Sequence, residues 1–212
     1  MPDAPLTIDP AVARHAGSTT AGSPVLVLLH GYGSHEGDLI GLAPHLPAHL
    51  RLLAPRAPLT GGPGFAWSPL AAPGRPEPAH VRAAADALLT WLDATVEAAT
   101  PVALLGFSQG GLLATQLLRT RPDRFAAAVV LSGFSLDATE PGDTDLAARR
   151  IPVLLGHGDT DPVIPADATT RTQAFLARHA ALEHHVYPGL GHGIAPAGLA
   201  DVHAFLTRAL PS

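Results

Sequence analysis

The chain has 212 residues, of which 47% are hydrophobic, so it is long and apolar enough for a single domain, residues 1–212, with a substantial core. Its net charge is -5, with 18 acidic residues against 13 basic ones that are all arginine, which argues against nucleic acid or an anionic membrane surface as a partner. The chain has no cysteine, which excludes disulfides, thiolate metal sites and a cysteine nucleophile.

The beginning of the chain shows neither a basic segment nor an apolar core, so we expect no signal peptide. No apolar run approaches the length that spans a bilayer, so we expect no membrane insertion. A cytoplasmic location is the default expectation for such a chain.

The first third of the chain is predicted to contain two buried strands. Residues 6–8 and 11–15 suggest a small hairpin at a sheet edge, followed by a turn over residues 18–23. Residues 25–29, VLVLL, form a continuous apolar run, which is typical of a parallel strand covered on both faces. Apolar residues at helical spacing predict a helix over residues 36–49, and residues 51–54 predict a second strand.

Residues 55–78 are the most irregular stretch of the chain. They are rich in proline and glycine, and they contain Phe65, Trp67 and Leu70. A long loop without secondary structure in a compact domain is usually either functional or disordered. Because aromatic residues favour order, we expect this loop to line a substrate pocket with Phe65, Trp67 and Leu70.

Strands and helices alternate through the rest of the chain. Strands are predicted over residues 102–107, 125–131, 151–155 and 183–187, and helices over residues 79–99, 165–179 and 196–210 and from residue 109. Residues 133–148 are predicted to be a polar loop, with one short helix near Asp145. This alternation predicts an α/β fold with a mostly parallel central sheet, helices on both faces and no large lid domain. Ligands bind beyond the carboxyl ends of such strands, so the loops after residues 29, 54, 107, 131, 155 and 187 should share one edge.

The strongest chemical motif lies between a predicted strand and a predicted helix. Gly106-Phe107-Ser108-Gln109-Gly110 fits the G-x-S-x-G nucleophile elbow, in which a tight turn exposes the serine. A serine hydroxyl needs a general base within hydrogen-bond reach, and the base needs an orienting acid. In chains built on this elbow the order is serine, acid, histidine.

That order favours His192 as the base. His192 lies in GLGHG, directly after the last predicted strand and at the same edge of the sheet as Ser108. The other histidines late in the chain lie at the opposite edge or inside a helix: His179, His184, His185 and His203.

Several aspartates could be the acid that orients His192. The loop after residues 151–155 carries both Asp159 and Asp161, and either could instead cap a helix or stabilise the loop. Asp137, Asp143 and Asp145, after the preceding strand, are weaker candidates. The residues alone favour Asp161 only slightly, because it is farther from the end of the strand.

Acyl transfer also needs two N–H groups that bind the developing oxyanion. The N–H of Gln109, at the start of a helix, is one natural donor. The glycine-flanked loop after the first buried strand, with Tyr32 between Gly31 and Gly33, can supply the N–H of Tyr32 as the second.

Other polar residues are given structural roles. Ser135, in GFSLD, lacks the second glycine of the elbow, and His30 and His157 are expected to hold loops by hydrogen bonds. The pair His184-His185 alternates faces of a strand and cannot easily chelate one ion. No metalloprotease or phosphate-binding glycine motif is present, so no metal and no cofactor are predicted.

Taken in order, the motifs LHGYG, RAP, GFSQGG, GDTDPVIP and GHGI resemble the phospholipase/carboxylesterase family of α/β-hydrolases, over nearly the whole chain. That family includes bacterial carboxylesterases and acyl-protein thioesterases. The resemblance implies an α/β-hydrolase fold, with Ser108, Asp161 and His192 as the triad and with N–H groups of Tyr32 and Gln109 as the oxyanion hole. It also makes a homodimer possible.

The predicted activity is therefore that of a serine carboxylesterase, with a small-molecule ester of short to medium acyl chain as substrate and an acyl-enzyme intermediate. The alternative is an acyl-thioesterase or lysophospholipase that acts on longer acyl chains. A catalytically silent hydrolase fold that binds a ligand or protein is the third possibility.

Overall fold

A seven-stranded sheet lies at the centre of the molecule in a computed structural model that describes residues 5–70 and 74–211. Its strands are β1 (Arg14–Gly17), β2 (Val25–Leu29), β3 (Arg51–Ala54), β6 (Val102–Phe107), β7 (Ala127–Leu131), β8 (Pro152–Gly158) and β9 (Ala181–Tyr187). Two further strands, β4 (Leu59–Gly61) and β5 (Gly64–Ala66), form a separate small hairpin. The large sheet has the order β1-β3-β2-β6-β7-β8-β9. Within this seven-stranded sheet, β1 runs antiparallel to its neighbour β3, and the other pairs are parallel.

Helices cover both faces of this sheet. They are α1 (Pro78–Thr95), α2 (Gln109–Thr120), α3 (Asp143–Arg149), α4 (Ala166–His179) and α5 (Pro196–Ala209). Apolar residues of α1 to α4 belong to the core on one face, whereas α5 packs on the other face. The predicted α/β-hydrolase architecture with a mostly parallel sheet is confirmed, and residues 5–70 and 74–211 include no large lid.

The core depends on strands that are apolar on both sides. In β2, Val25, Val27 and Leu29 point into one core layer, while Leu26 and Leu28 point into the other. All five are at most 1% exposed. Because successive strand side chains alternate between the two faces, a continuous apolar run such as VLVLL suits a strand with a core on each side.

The predicted N-terminal hairpin is wrong. Residues 6–8 form no strand, a 3₁₀ turn spans Pro10–Val12, and β1 pairs instead with β3 at the sheet edge. The predicted helix over residues 36–49 is also shorter and tighter than expected, a 3₁₀ segment over Leu39–His45. Pro44 and Pro47 explain this, because a proline has no N–H for a helical hydrogen bond.

Of the two predicted loops, one carries more structure than the sequence suggested and the other contains the short helix that was predicted. The irregular stretch over residues 55–78 contains the β4–β5 hairpin, and its residues 71–73 lie outside the described residues. The segment over residues 133–148 ends in α3, close to the short helix predicted near Asp145. In the described ranges, no helix combines the length and the apolar character needed to cross a bilayer.

Candidate active site

The turn between β6 and α2 exposes Ser108 in a strained conformation. Ser108 has a φ of 55°, which non-glycine residues rarely adopt, and a ψ of -115°. A Cβ at Gly106 would lie 2.2 Å from the Gly110 carbonyl oxygen, and a Cβ at Gly110 would lie 1.9 Å from the Leu29 carbonyl oxygen. Both positions therefore require glycine, and the turn can be this tight only because they have it.

The structure brings Ser108, His192 and Asp161 together from three separate loops. His192 Nε2 lies 2.9 Å from Ser108 Oγ, and His192 Nδ1 lies 2.8 Å from Asp161 Oδ2. The ring of Phe107 packs against the imidazole, with ring centroids 4.9 Å apart. The histidine ring is thus held between a hydroxyl and a carboxylate, each within hydrogen-bond distance.

The carboxylate of Asp161 is held from both sides. Its Oδ1 accepts hydrogen bonds from the N–H groups of Val163, at 2.8 Å, and Ile164, at 3.1 Å. Burial by itself would raise the pKa of Asp161, but these bonds and the one from His192 outweigh it and lower the pKa. Asp161 is therefore ionised at neutral pH and can stabilise a positive charge on the imidazole.

Asp159, the competing aspartate, has a different contact. Its Oδ1 accepts a hydrogen bond of 2.7 Å from the N–H of Gly189, in the loop that leads to His192. The structure therefore brings Asp161 to the histidine, while Asp159 ties two loops together.

The loop after β2 lies directly beside the nucleophile. A Cβ at Gly31 would be 3.5 Å from the Cβ of Ser108, so the backbone of this loop and the elbow are in close contact. In the described part of the chain, the N–H of Tyr32 meets no hydrogen-bond acceptor. Gln109 is the first residue of α2, so its N–H has no partner within the helix. Both predicted oxyanion donors are therefore free to bind an anionic oxygen.

An apolar cavity of about 360 Å³ opens beside Ser108 and His192. Leu112, Phe134 and Ile164, each at most 7% exposed, line its deep part. They belong to a small cluster of buried apolar residues.

The outer part of the cavity is open and also apolar. Leu70 and Val163 line it there, and they are 68% and 45% exposed. The space beside the nucleophile is thus an apolar cavity with a closed inner end and an open outer end.

Of the three predicted pocket residues, the structure places only Leu70 at this cavity. Trp67 is 1% exposed, and its indole N–H is turned away to donate a 2.8 Å hydrogen bond to the His30 carbonyl. The guanidinium carbon of Arg56 lies over the ring of Phe65, 4.4 Å from the ring centroid. The backbone carbonyl of Phe65 accepts a hydrogen bond from the N–H of Gly33. The prediction that Phe65 and Trp67 line the pocket is corrected: they support the loop after β2 instead.

The remaining polar candidates lie apart from the nucleophile. Ser135 is buried, and its N–H donates to Thr172 Oγ1. The rings of His157 and His184 stack on each other behind the acid loop, and burial lowers the pKa of both. Among the described residues, no group of three or more histidine, aspartate or glutamate side chains is arranged to hold a metal ion.

Comparison with known proteins identifies the family. The profile of the Phospholipase/Carboxylesterase family matches residues 16–210. The chain belongs to this family. The matched range begins within the edge strand β1 and includes every later strand and helix through α5.

Curated relatives carry the name acyl-protein thioesterase 1. The protein of that name from Saccharomyces cerevisiae is 32% identical over 111 residues, which cover 50% of this chain and 49% of the relative. The protein of that name from Mycosarcoma maydis is 28% identical over 225 residues, which cover 88% of this chain and 91% of the relative. The chain thus spans about half the length of the first of these relatives and most of the second.

Solved structures show the same fold. A carboxylesterase from Mesorhizobium loti superposes with a TM-score of 0.82 and 24% identity, covering 96% of this chain and 99% of that one. At this identity the likeness describes the fold.

Sequence reasoning missed the role of one side chain at the site. The amide of Gln109 bonds to the backbone of Trp67 and Ser68, which lie 42 and 41 residues earlier in the chain. No local sequence pattern indicates such a contact, because the residues around the glutamine are the same whether its side chain is exposed to solvent or buried.

Proposed function

We propose that the protein is a serine hydrolase that cleaves carboxylic esters of short to medium acyl chain through an acyl-enzyme intermediate. The observation that carries this proposal is the imidazole of His192, which lies 2.9 Å from Ser108 Oγ and 2.8 Å from Asp161 Oδ2. This arrangement of hydroxyl, imidazole and carboxylate is the one that activates a serine in unrelated hydrolases.

In the first half of the reaction, His192 Nε2 takes the hydroxyl proton as Ser108 Oγ attacks the ester carbonyl. The imidazole becomes positively charged, and the ionised Asp161 stabilises it through Nδ1–H. The protonated Nε2 then gives its proton to the departing alcohol oxygen, which leaves the acyl group on Ser108. In the second half, His192 activates a water by the same route, and the carboxylic acid leaves.

The oxyanion of each tetrahedral intermediate needs donors that are already in place. The N–H groups of Tyr32 and Gln109 serve this role in the proposed mechanism, because both are free and both belong to segments next to Ser108. A donor of this kind is worth about 3–4 kcal/mol in the transition state.

The cavity supports an apolar acyl group of limited length. Its volume of about 360 Å³ lies near the small end of the range of roughly 300–1,000 Å³ seen for small-molecule sites. Leu112, Phe134 and Ile164 close the inner end, so an acyl chain that enters from Ser108 meets a buried apolar wall.

Hydrolysis of acyl thioesters is the second candidate function. It is favoured by the curated relatives, which carry the name acyl-protein thioesterase 1. The exposed apolar residues Leu70 and Val163 at the open end of the cavity suit a longer acyl chain that extends out of it.

The triad is tested by Ser108→Ala, with Ser135→Ala as the matched control. Ser135 also follows a strand of the central sheet, but it is buried away from the cavity. Hydrolysis of p-nitrophenyl butanoate should vanish in the first variant and persist in the second, and only the first should lose its reaction with a fluorophosphonate probe. A Ser108→Ala variant that keeps near-wild-type turnover would refute the mechanism.

Ester and thioester activities can be compared in one series of acyl lengths. Released thiol can be followed with a disulfide reagent, because the protein has no cysteine that would react with it. A kcat/KM that is highest for butanoate or hexanoate esters supports the main proposal. A kcat/KM that is highest for palmitoyl thioesters favours the second candidate. A wild-type protein that hydrolyses neither and does not react with the probe is a binding protein on a hydrolase fold.

A further inference from the structure

The side chain of Gln109 makes three hydrogen bonds across the wall of the site. Its Oε1 accepts from the Trp67 N–H at 2.9 Å, and its Nε2 donates to the Ser68 carbonyl at 2.8 Å and to Ser68 Oγ at 3.1 Å. Gln109 is 9% exposed, Ser68 is 2% exposed and Trp67 is 1% exposed. Because the backbone N–H must donate and the carbonyl must accept, these partners also determine which way the amide faces.

Trp67 extends this contact to the loop after β2. Its indole N–H donates to the His30 carbonyl at 2.8 Å. The imidazole of His30 accepts the Ala57 N–H at Nε2, so its proton is on Nδ1, which donates to the Gly31 carbonyl at 2.8 Å. Burial lowers the pKa of His30, which keeps this ring neutral and able to act as both donor and acceptor.

These contacts form a continuous path from the residue after the nucleophile to the peptide that carries the second oxyanion donor. The path runs from the Gln109 amide through Trp67 to His30, whose next peptides lead to Tyr32. The same Gln109 supplies its own N–H as the other donor. One residue therefore contributes one donor directly and, through its side chain, holds the segment that supplies the other.

We propose that Gln109 is a positioning residue. Its side-chain amide fixes the Trp67–Ser68 segment against the elbow and thereby positions the Tyr32 N–H in the oxyanion hole. The inference rests on the proposed function, because an oxyanion hole has meaning only if Ser108 forms tetrahedral intermediates. A positioning role of this kind predicts that loss of the Gln109 amide lowers kcat, because the oxyanion forms only after the substrate has bound.

The test replaces Gln109 with methionine, which has a similar length and no hydrogen-bonding amide. Gln109→Met keeps the backbone N–H of the residue but loses all three side-chain bonds. We expect kcat for p-nitrophenyl butanoate to fall about 10- to 100-fold, because a misplaced donor in an oxyanion hole costs rates of this order. The pH dependence of kcat/KM should not change, because His192 and Asp161 keep their contacts.

Gln116 offers a matched control on the same helix. It is also a buried glutamine, 1% exposed, and its Nε2 donates to Glu140 Oε2 at 3.1 Å and to Thr120 Oγ1 at 3.3 Å. Gln116→Met should lower the melting temperature about as much as Gln109→Met but leave kcat within about twofold of wild type. This comparison separates loss of a buried amide from loss of the site's geometry.

Trp67→Phe tests the same path from its other end and does not depend on the folding of the first variant. It removes the indole N–H that binds the His30 carbonyl and keeps an aromatic ring in place. We expect kcat to fall about tenfold. The double variant Gln109→Met/Trp67→Phe should lose little more than the larger single loss, because both changes release the same segment.

Three outcomes refute this inference: a Gln109→Met kcat within about twofold of the Gln116→Met value, an unchanged kcat in Trp67→Phe, or losses that multiply fully in the double variant. If wild type hydrolyses esters and reacts with a fluorophosphonate probe, such a result refutes the positioning role alone. If wild type does neither, the proposed function fails and the positioning role with it.

Discussion

Replacing Asp161 with asparagine should cost far more activity than the loss of one charge suggests. In the wild type, Oδ1 of Asp161 accepts the N–H groups of Val163 and Ile164, and Oδ2 faces His192 Nδ1. An asparagine has only one oxygen, and the two backbone donors require that oxygen at the Oδ1 position. Its NH₂ group must then face the histidine.

This orientation places the imidazole in the wrong tautomer. An NH₂ group facing Nδ1 favours the ring with an unprotonated Nδ1 and a proton on Nε2, the atom that lies 2.9 Å from Ser108 Oγ. A protonated Nε2 cannot accept the hydroxyl proton of the serine. A wrong tautomer of this kind lowers kcat about 10⁴-fold, which corresponds to about 5 kcal/mol in the transition state.

The assay is the initial rate of p-nitrophenyl butanoate hydrolysis at neutral pH, with Asp159→Asn as the control. Among the described residues, the Asp159 side chain accepts a hydrogen bond from the Gly189 N–H alone, which an asparagine oxygen can still bind, so that variant should stay within about threefold of wild type. An Asp161→Asn variant that keeps more than about a tenth of wild-type kcat would show that the N–H groups of Val163 and Ile164 do not orient the asparagine side chain.

Two further changes test the cavity and the loop after β2. Phe134→Ala should lengthen the closed end of the cavity, so the ratio of kcat/KM for octanoate esters to kcat/KM for acetate esters should rise about tenfold. Because Phe134 is buried, the change should also lower the free energy of unfolding by about 3–5 kcal/mol. An unchanged ratio would mean that the acyl group does not reach Phe134. Hydrogen bonds from Arg56 lower the pKa of Glu36 from 4.5 to about 2, so this pair stabilises the fold above pH 4.5 and loses its effect as the pH falls towards 2. Glu36→Gln should lower the free energy of unfolding by at most about 3 kcal/mol at neutral pH. Urea denaturation at a series of pH values should then show a smaller loss of unfolding free energy below pH 4.5 than in the wild type. A loss as steep as that of the wild type would contradict the stabilising role of the Glu36–Arg56 pair.

The central strands of the sheet could be predicted from their own residues, whereas the edge strand β1 could not. VLVLL and VALLGF are apolar on both faces, and such runs have few other places in an α/β protein. The elbow was predictable for a similar reason, since Gly106 and Gly110 stand where a side chain would collide with backbone. These features depend on local sequence and on rules that apply to every parallel sheet.

The contacts that the sequence did not reveal join residues far apart in the chain. Trp67 was expected in the pocket because an aromatic residue in an irregular loop is typical of a ligand site, but its indole binds the carbonyl of His30, 37 residues away. The residues alone favoured Asp161 over Asp159 only slightly, because both are acidic and lie two residues apart, and it was the family resemblance that selected Asp161. What separates them is the direction of each side chain, which the three-dimensional arrangement of the acid loop and the histidine loop determines.

The buried position of Trp67 also provides a built-in fluorescent reporter. The chain has two tryptophans, and the other, Trp91, lies in α1. Both are buried, at 1% and 5% exposure, but the indole N–H of Trp67 has a hydrogen-bond partner at the loop after β2. In a Trp91→Phe background, the remaining emission would come from an indole that touches the loop after β2, beside Ser108, so ligand binding and acylation could be followed without a coloured substrate.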